Sequence, residues 1–148
     1  MQISLTTLAV ADLCRRDKTR LYEVFNTPEC QPWLPGKKGI GEGRSFTAEQ
    51  ALLTMIHADL TRWGLSVPFA GRIVTRIAET LFEQPNAATL TISFHENGAS
   101  FFTADRGYAD LLNDSNGAGR ARFGVQIELT AYHAAINAAL SEMADAAA

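Results

Sequence analysis

Eight side chains in the first third of the chain have the chemistry needed to bind a polyanion, and they form two groups. Five lie within seven positions: Arg16, Lys18, Thr19, Arg20 and Tyr22. The other three lie in or beside a glycine-rich segment: Lys37, Lys38 and Arg44. Lysine and arginine neutralise phosphates, arginine can also donate two hydrogen bonds to the edge of guanine, and hydroxyl groups bind phosphate oxygens. The two groups therefore indicate a nucleic-acid-binding surface.

A pair of short helices would position the first group. Thr6 or Thr7 can cap a helix that extends to about Arg15, and Asp17 can cap a second helix over residues 18–26. Capping side chains accept hydrogen bonds from the unpaired N–H groups of the first turn, so both are helix-start signals. The predicted element is a helix-turn-helix whose second helix carries donors suited to a major groove.

The apolar residues of these helices predict which sides are buried. Leu21, Val24 and Phe25 recur at helical spacing and are expected in the core, as is Leu8 on the first helix. The charged residues of the second helix are then left on its outer side. Any solvated helix has such a face, so this pattern alone does not separate DNA binding from simple exposure.

Residues 33–46 form a basic segment between two helical patterns. Four glycines within positions 36–43 disfavour a helix and suit a tight hairpin. The prolines before it predict an extended approach: Pro28, Pro32 and Pro35. Its expected anchors to the core are the large apolar residues Trp33, Leu34, Ile40 and Phe46. A short basic hairpin after a helix pair is typical of the wing of a winged helix-turn-helix.

The clearest local signal is a helical hairpin over residues 48–83. Thr47 and Gln50 form a capping box, Gly64 ends the first helix, and Ser66 caps the second. The apolar stripes of the two helices include Trp63 and Phe69. We therefore expect this hairpin to complete a small core.

The order of these elements resembles the mercury-resistance-regulator (MerR) family. The resemblance covers about residues 4–83 and is carried by three segments: Gly43-Arg44-Ser45-Phe46-Thr47, Leu52-Leu53-Thr54-Met55-Ile56 and Trp63-Gly64-Leu65-Ser66. It implies a MerR-like winged helix-turn-helix that binds double-stranded DNA. By position, the recognition helix would carry Lys18, Thr19, Arg20 and Tyr22, and the wing would carry Lys37, Lys38 and Arg44.

The turn between the first two helices departs from that family's pattern. Many such motifs have a glycine there, followed by an apolar residue, whereas this chain has Arg15 and Arg16. We therefore expect a turn of different shape.

The second half predicts a small α+β module, which makes the whole chain α+β. A domain over residues 1–84 would be joined by a linker, 85–88, to a module over 89–148 with a hairpin turning at Asn97-Gly98, a further strand near 123–129 and a final helix from Thr130. Three strands and one helix make a thin core, so we expect the module to bury its remaining surface on a second copy. A homodimer is the preferred assembly.

Few residues suggest metal binding or catalysis. The soft-metal candidates have no ligand spacing: Cys14, Cys30, His57, His95 and His133. We expect His57 at the edge of the core and His95 at a solvated hairpin tip. No nucleophile elbow, phosphate loop or placed carboxylate pair is present, so we predict no enzyme activity, cofactor or metal site. The aromatic residues of the second half could line an effector pocket, but a core role is favoured for Phe101, Tyr108, Phe123 and Tyr132.

Charge is divided along the chain although the net charge is −3. Residues 15–44 carry seven cations and four anions, whereas residues 85–148 carry three cations and seven anions. A basic N-terminal part suits DNA, and an acidic C-terminal part does not. No apolar run approaches a membrane span, and two cysteines fit a reducing compartment, so we expect a cytoplasmic location.

These patterns together predict a sequence-specific, DNA-binding transcription regulator, with RNA polymerase as a candidate partner. Two other interpretations stay open. One is an excisionase-like or architectural factor that bends DNA. The other is a protein-interaction module in which the winged helix is repurposed and the acidic half is the working surface.

Overall fold

A computed structural model describes residues 3–36, 43–107 and 119–148, which have an α+β architecture of helices and two small antiparallel sheets. The chain divides into two compact units, Met1–Thr75 with Tyr132–Ala148, and Arg76–Ala131. Most of the final helix is grouped with the N-terminal unit. The domain boundary at residues 85–88 stays a prediction.

The first unit begins with a two-residue strand and two short helices. Their bounds are β1 Leu5–Thr6, α1 Thr7–Leu13 and α2 Lys18–Phe25. Thr6 Oγ1 accepts from the Ala9 N–H at 3.2 Å, and Asp17 Oδ1 accepts from the Arg20 N–H at 3.1 Å. Both predicted caps are therefore confirmed. Leu8, however, is 59% exposed, because the buried side of α1 is formed by Thr7, Val10 and Ala11.

The predicted extended approach to the glycine-rich segment is wrong, since Pro28–Trp33 forms a 3₁₀ helix. Pro28 opens it, and a proline φ near −65° already fits the first turn of a helix. Trp33 and Leu34 are buried as expected, and Trp33 Nε1 donates to the Gly71 carbonyl at 3.2 Å. Ile40 lies outside the described residues.

A short ladder joins the two ends of this region. β2, Ser45–Phe46, pairs antiparallel with β1, placing Leu5 opposite Phe46 and Thr6 opposite Ser45. Leu5 and Phe46 are fully buried. The chain that leaves the glycine-rich segment is thereby held beside the start of α1.

Two longer helices follow, α3 Ala48–Arg62 and α4 Val67–Glu83. The Thr47–Gln50 capping box is present, and Gly64 has φ 102°, a conformation suited to glycine. Two apolar residues assigned to the stripes are exposed instead, Trp63 by 86% and Phe69 by 46%. Trp63 is the C-cap of α3, where the helix has ended, and Phe69 precedes the buried run of α4 that starts at Ala70.

The final helix, α5, spans Leu129–Ala147. Tyr132 donates its hydroxyl proton to Asp59 Oδ2 at 2.6 Å, and Asp59 also pairs with Arg62. Arg62 in turn donates to the Cys14 carbonyl at 2.7 Å. These contacts connect α5, α3 and the end of α1 within the first unit.

The second unit contains a three-stranded antiparallel sheet in the order β4–β3–β5. The strands are β3 Thr89–His95, β4 Ser100–Ala104 and β5 Ala121–Glu128. Gly98 has φ 86° in the β3–β4 turn, so the Asn97-Gly98 turn is confirmed. β5 begins two residues earlier than expected and ends before Leu129, which opens α5 instead of continuing the strand.

Strand register places a row of apolar residues on one face of this sheet. Ile92 lies between Phe102 and Val125, and Phe94 lies opposite Phe123. Arg76 of α4 lies 4.2 Å from the centre of the Phe102 ring. On the same face, Phe123 and Val125 of β5 are exposed, whereas Ile127 is buried.

Candidate nucleic-acid interface

α2 presents four of the predicted binding residues to solvent. The exposed side chains are Lys18, Thr19, Arg20 and Tyr22. On the opposite side of the helix Leu21 is 1% exposed and Phe25 is 4% exposed. The inner residues therefore fix the rotation of the helix, and its polar donors point away from the core.

Arg20 is the exposed donor with a local partner. Its Nη1 lies 3.4 Å from Glu23 Oε2, and both side chains are more than half exposed. An ion pair at such a surface contributes about 0–1 kcal/mol, because water already solvates both charges. Lys18 makes no hydrogen bond or ion pair with the described residues. Both cations can therefore bind a phosphate or a base edge at little energetic cost.

The turn before α2 has a defined helix-ending geometry. The Arg16 N–H bonds the Ala11 carbonyl at 3.0 Å, and the Arg15 N–H bonds the Asp12 carbonyl at 3.0 Å. This hydrogen-bond pair is a Schellman motif, and its left-handed position is taken by Arg15 with φ 52°. Arg15 therefore occupies the left-handed position that glycine usually takes in this motif.

Arg16 is turned into the fold and is not on the exposed side of α2. Its Nη2 donates to the Ala58 carbonyl at 3.0 Å and to Thr61 Oγ1 at 2.9 Å, both on α3. Its Nε is buried and has no hydrogen-bond partner among the described residues. The residue therefore anchors the start of α2 to α3, and any effect on DNA binding would be exerted through the position of that helix.

Arg44 also makes contacts within the fold. Its guanidinium lies 4.4 Å from the centre of the Phe25 ring and donates to the Pro35 carbonyl at 2.6 Å. Such a cation–π contact stabilises by about 0.5–2 kcal/mol, depending on desolvation. Arg44 thus links both flanks of the glycine-rich segment to α2. Lys37 and Lys38, the other predicted wing cations, lie outside the described residues.

Arg62 is a positioning residue that pattern analysis did not identify. Its bond to the Cys14 carbonyl supplies a donor to the end of α1, where helix carbonyls lack partners. The turn is thus joined to α3 by two charged donors, Arg16 of the turn itself and Arg62 of α3. The sequence does place Arg62 in the last turn of α3, but its partner Cys14 lies 48 positions away, so no local pattern identifies the contact.

A depression in the described part of this unit is too small for an effector. It lies between α2 and α3 and is bordered by Arg16, Leu21, Thr54 and His57 among others. Its volume is about 20 Å³, which is enough for a single water molecule.

His57 is buried, at 1% exposure, and not at the edge of the core as expected. Its Nε2 lies 3.1 Å from the Val67 carbonyl and 3.5 Å from Cys30 Sγ. The carbonyl requires a proton on Nε2, and burial lowers the pKa of His57, so the ring is neutral. Burial also raises the pKa of Cys30 to about 12, with Glu29 adding to the effect. This pair therefore has no thiolate nucleophile and is part of the core.

His95 is also buried, at 5% exposure, which corrects the expected solvated position. Its Nδ1 lies 2.9 Å from the Gly119 carbonyl and its Nε2 lies 2.9 Å from Ser93 Oγ. Both ring nitrogens are thus used within the second unit, where they connect β3 to the residues that lead into β5.

The sequence favours a core role over an effector pocket for the aromatic residues of the second half, but this is wrong for Phe123, which is 59% exposed. Phe101 pairs with Ser93, whereas Phe123 pairs with the next residue, Phe94, so the two rings lie on opposite faces of the sheet. Tyr108 lies outside the described residues. Across the ranges 3–36, 43–107 and 119–148, no cluster of three or more histidine, cysteine or acidic residues could hold a metal ion.

Comparison with known proteins found no match, either among protein-family models or among curated proteins. Of the helices that the structure describes, none has both the length and the apolar character needed to cross a bilayer. The assignment of function therefore depends on the geometry and chemistry of the chain itself.

Proposed function

We propose that the chain is a cytoplasmic, sequence-specific DNA-binding transcription regulator of winged helix-turn-helix type, in which α2 enters the major groove. One observation carries the proposal: four polar donors are exposed on a short helix whose inner side is buried and whose start is anchored by Arg16. A helix of this size fits the major groove, where each base pair presents a distinct pattern of donors and acceptors.

The side-chain chemistry of each exposed residue of α2 indicates which part of the DNA it would contact. Arg20, released from Glu23, is suited to the O6 and N7 acceptors of guanine, and Lys18 to guanine or a phosphate. Thr19 and Tyr22 are suited to phosphate oxygens. Arg16 and Arg44 would act indirectly, because their guanidinium groups are held inside the fold. Lys37 and Lys38 stay predicted backbone contacts on the basis of the sequence.

The test starts from a random pool of DNA duplexes, from which bound sequences are selected. Affinity for the selected duplex is then measured by fluorescence anisotropy for Arg20→Ala, Lys18→Ala and a matched control, Arg72→Ala, which removes an exposed cation from α4. We expect Arg20→Ala to weaken binding by about 1–3 kcal/mol and to relax the base preference at one position. Equal affinities for all three variants would contradict the proposal.

A protein-interaction module is the second candidate, and the exposure of Trp63 favours it. An indole that is 86% exposed is unusual on a surface without a partner, because tryptophan is enriched in interface centres. Retention on random-sequence DNA at low salt separates the two functions. The DNA-binding proposal requires retention that falls as salt rises, whereas the interaction module requires none.

A further inference from the structure

β5 is an edge strand with an apolar side open to solvent. In the described part of the second unit it pairs only with β3, on one of its two edges. Phe123 is 59% exposed and Val125 is 45% exposed. An eight-residue edge with exposed apolar side chains is a template for pairing with another strand. No proline lies along it to block such pairing.

The residues of β5 are arranged so that the strand complements itself. When two antiparallel copies are centred on Val125, Phe123 lies opposite Ile127 and Val125 lies opposite its own counterpart. Arg122 and Glu128 lie near opposite ends of β5, so the antiparallel arrangement brings Arg122 of one copy close to Glu128 of the other at both ends of the ladder. Opposite charges and apolar groups placed directly across an antiparallel pair are stabilising, and a shift by one residue would put apolar against polar side chains.

The two ends of β5 carry exposed residues of opposite charge. Arg122 and Glu128 are both exposed, and Gln126 donates its amide to Glu128 Oε1 at 3.0 Å, which holds that carboxylate on the polar face. The register irregularity opposite Phe94 and His95 leaves Arg122 without a direct partner on β3. The regular part of the strand, residues 123–128, contains the apolar centre of the proposed ladder, and Arg122 lies just outside it.

We propose that β5 is the homodimer interface: two copies join their β5 edges antiparallel about a two-fold axis at Val125. The result is one continuous six-stranded sheet in the order β4–β3–β5–β5–β3–β4. The occupant of the edge is a second copy of this chain, because the apolar pairs and the oppositely charged ends are both supplied by the same strand related by symmetry. The inference depends on the expected homodimer but not on DNA binding by α2.

A charge exchange tests the register. Each single change, Arg122→Glu or Glu128→Arg, brings like charges close together at both ends of the ladder. We expect each to raise the dimer dissociation constant roughly tenfold or more, measured by sedimentation equilibrium. The double variant Arg122→Glu/Glu128→Arg restores opposite charges and should recover the original value. Single variants that dimerise as tightly as the unmodified chain, or a double variant no tighter than the singles, would overturn the interface.

Disulfide trapping tests the position of the axis. Val125→Cys would place two thiols directly opposite each other, within the Cα separation that a disulfide needs. Under mild oxidation it should form a covalent dimer, whereas the control Gln126→Cys should not, because residue 126 lies opposite 124. The native Cys14 and Cys30 are 3% and 0% exposed and will not interfere. Equal cross-linking of both variants, or none in either, would refute the axis.

The outcomes separate this inference from the function of α2. An unmodified chain that is monomeric at micromolar concentration removes the β5 interface and leaves DNA binding by α2 to be judged by anisotropy. Conversely, Lys18→Ala should reduce DNA affinity without changing the dimer dissociation constant. A dimer that persists unchanged in all β5 variants would place the interface elsewhere and overturn the inference.

Discussion

α2 and β5 are both exposed at the surface of their units, yet they present opposite chemistry to solvent. α2 hides Leu21 and Phe25 and exposes lysine, arginine and hydroxyl groups. β5 buries Ile127 at one end and exposes Phe123 and Val125 over the rest of the same side. The apolar residues of α2 are already buried in the monomer, whereas two apolar residues of β5 remain in contact with solvent.

The contrast between α2 and β5 shows that the meaning of an exposed residue depends on which contacts hold its helix or strand in place. α2 is fixed from beneath by side chains of other helices, so its outer residues can be specialised for a ligand. β5 is fixed on one edge only, and its apolar residues gain stability when the second edge is paired. One region therefore suggests recognition of a polar polymer and the other suggests self-association.

The largest expected difference between the regions concerns their apolar residues. Leu21→Ala should lower the free energy of unfolding by about 2–5 kcal/mol, because it opens a cavity beneath α2. Phe123→Ala should cost much less, since its ring is already more than half exposed and stacks on Phe94 with the ring centres 4.6 Å apart. Urea unfolding of both variants at one protein concentration measures this. A comparable loss at the two positions would mean that Phe123 is already covered in the monomer.

A smaller effect should distinguish the anchored arginine of α2 from the exposed one. Arg16→Met removes two hydrogen bonds to α3 and should lower the free energy of unfolding by about 1–3 kcal/mol. Arg20→Met removes only a solvated ion pair and should leave stability nearly unchanged. Thermal or urea denaturation of this pair of variants measures the contrast. Equal stability of the two would show that the Arg16 contacts do not position α2.

Local signals predicted the parts of the fold that depend on neighbouring residues. The caps Thr6, Asp17 and Thr47 act on N–H groups three positions away, and Gly98 acts within its own turn. These elements could be placed because sequence spacing determines the interaction. The α+β class followed from the same periodicities.

Interactions between distant residues could not be predicted in this way. Arg16 bonds residues 42 and 45 positions further along the chain, and Tyr132 bonds Asp59 across 73 positions. The burial of His57 and His95 similarly depends on carbonyl groups that no spacing rule identifies. Two of the eight candidate binding residues, Arg16 and Arg44, consequently have internal contacts, while four on α2 are exposed as the pattern predicts.

The buried His57 of α3, which borders α2, makes the stability of the first unit depend on pH. Burial lowers the pKa of His57 below its ordinary value of 6.5, so the unfolded chain takes up a proton that the native ring resists. This contribution to stability is complete above about pH 6.5 and is lost as pH falls towards the lowered value, with a slope of at most about 1.4 kcal/mol per pH unit.

The variant His57→Gln isolates that contribution. Glutamine can donate to the Val67 carbonyl but does not titrate, so its free energy of unfolding should change less between about pH 7.5 and pH 5.5 than that of the unmodified chain. Urea titrations at both pH values measure the difference. An identical change in the two proteins would assign the pH dependence to other groups.

The smallest expected effect concerns two helix ends that share one geometry. α1 ends with Arg15 at φ 52°, and α3 ends with Gly64 at φ 102° and the matching bonds from Gly64 and Leu65 to Thr61 and Leu60. A side chain in the left-handed region costs about 1 kcal/mol, partly offset by the greater freedom of glycine in the unfolded chain.

Arg15→Gly should therefore raise the free energy of unfolding by roughly 0.5–1 kcal/mol, whereas Gly64→Ala should lower it by about 1 kcal/mol or more. Differential scanning calorimetry of the two variants checks the opposite signs. A loss of stability in Arg15→Gly would mean that the arginine side chain stabilises the turn beyond its backbone strain. The turn before α2 would then be stabilised by the side chain of Arg15, at a position that glycine usually occupies.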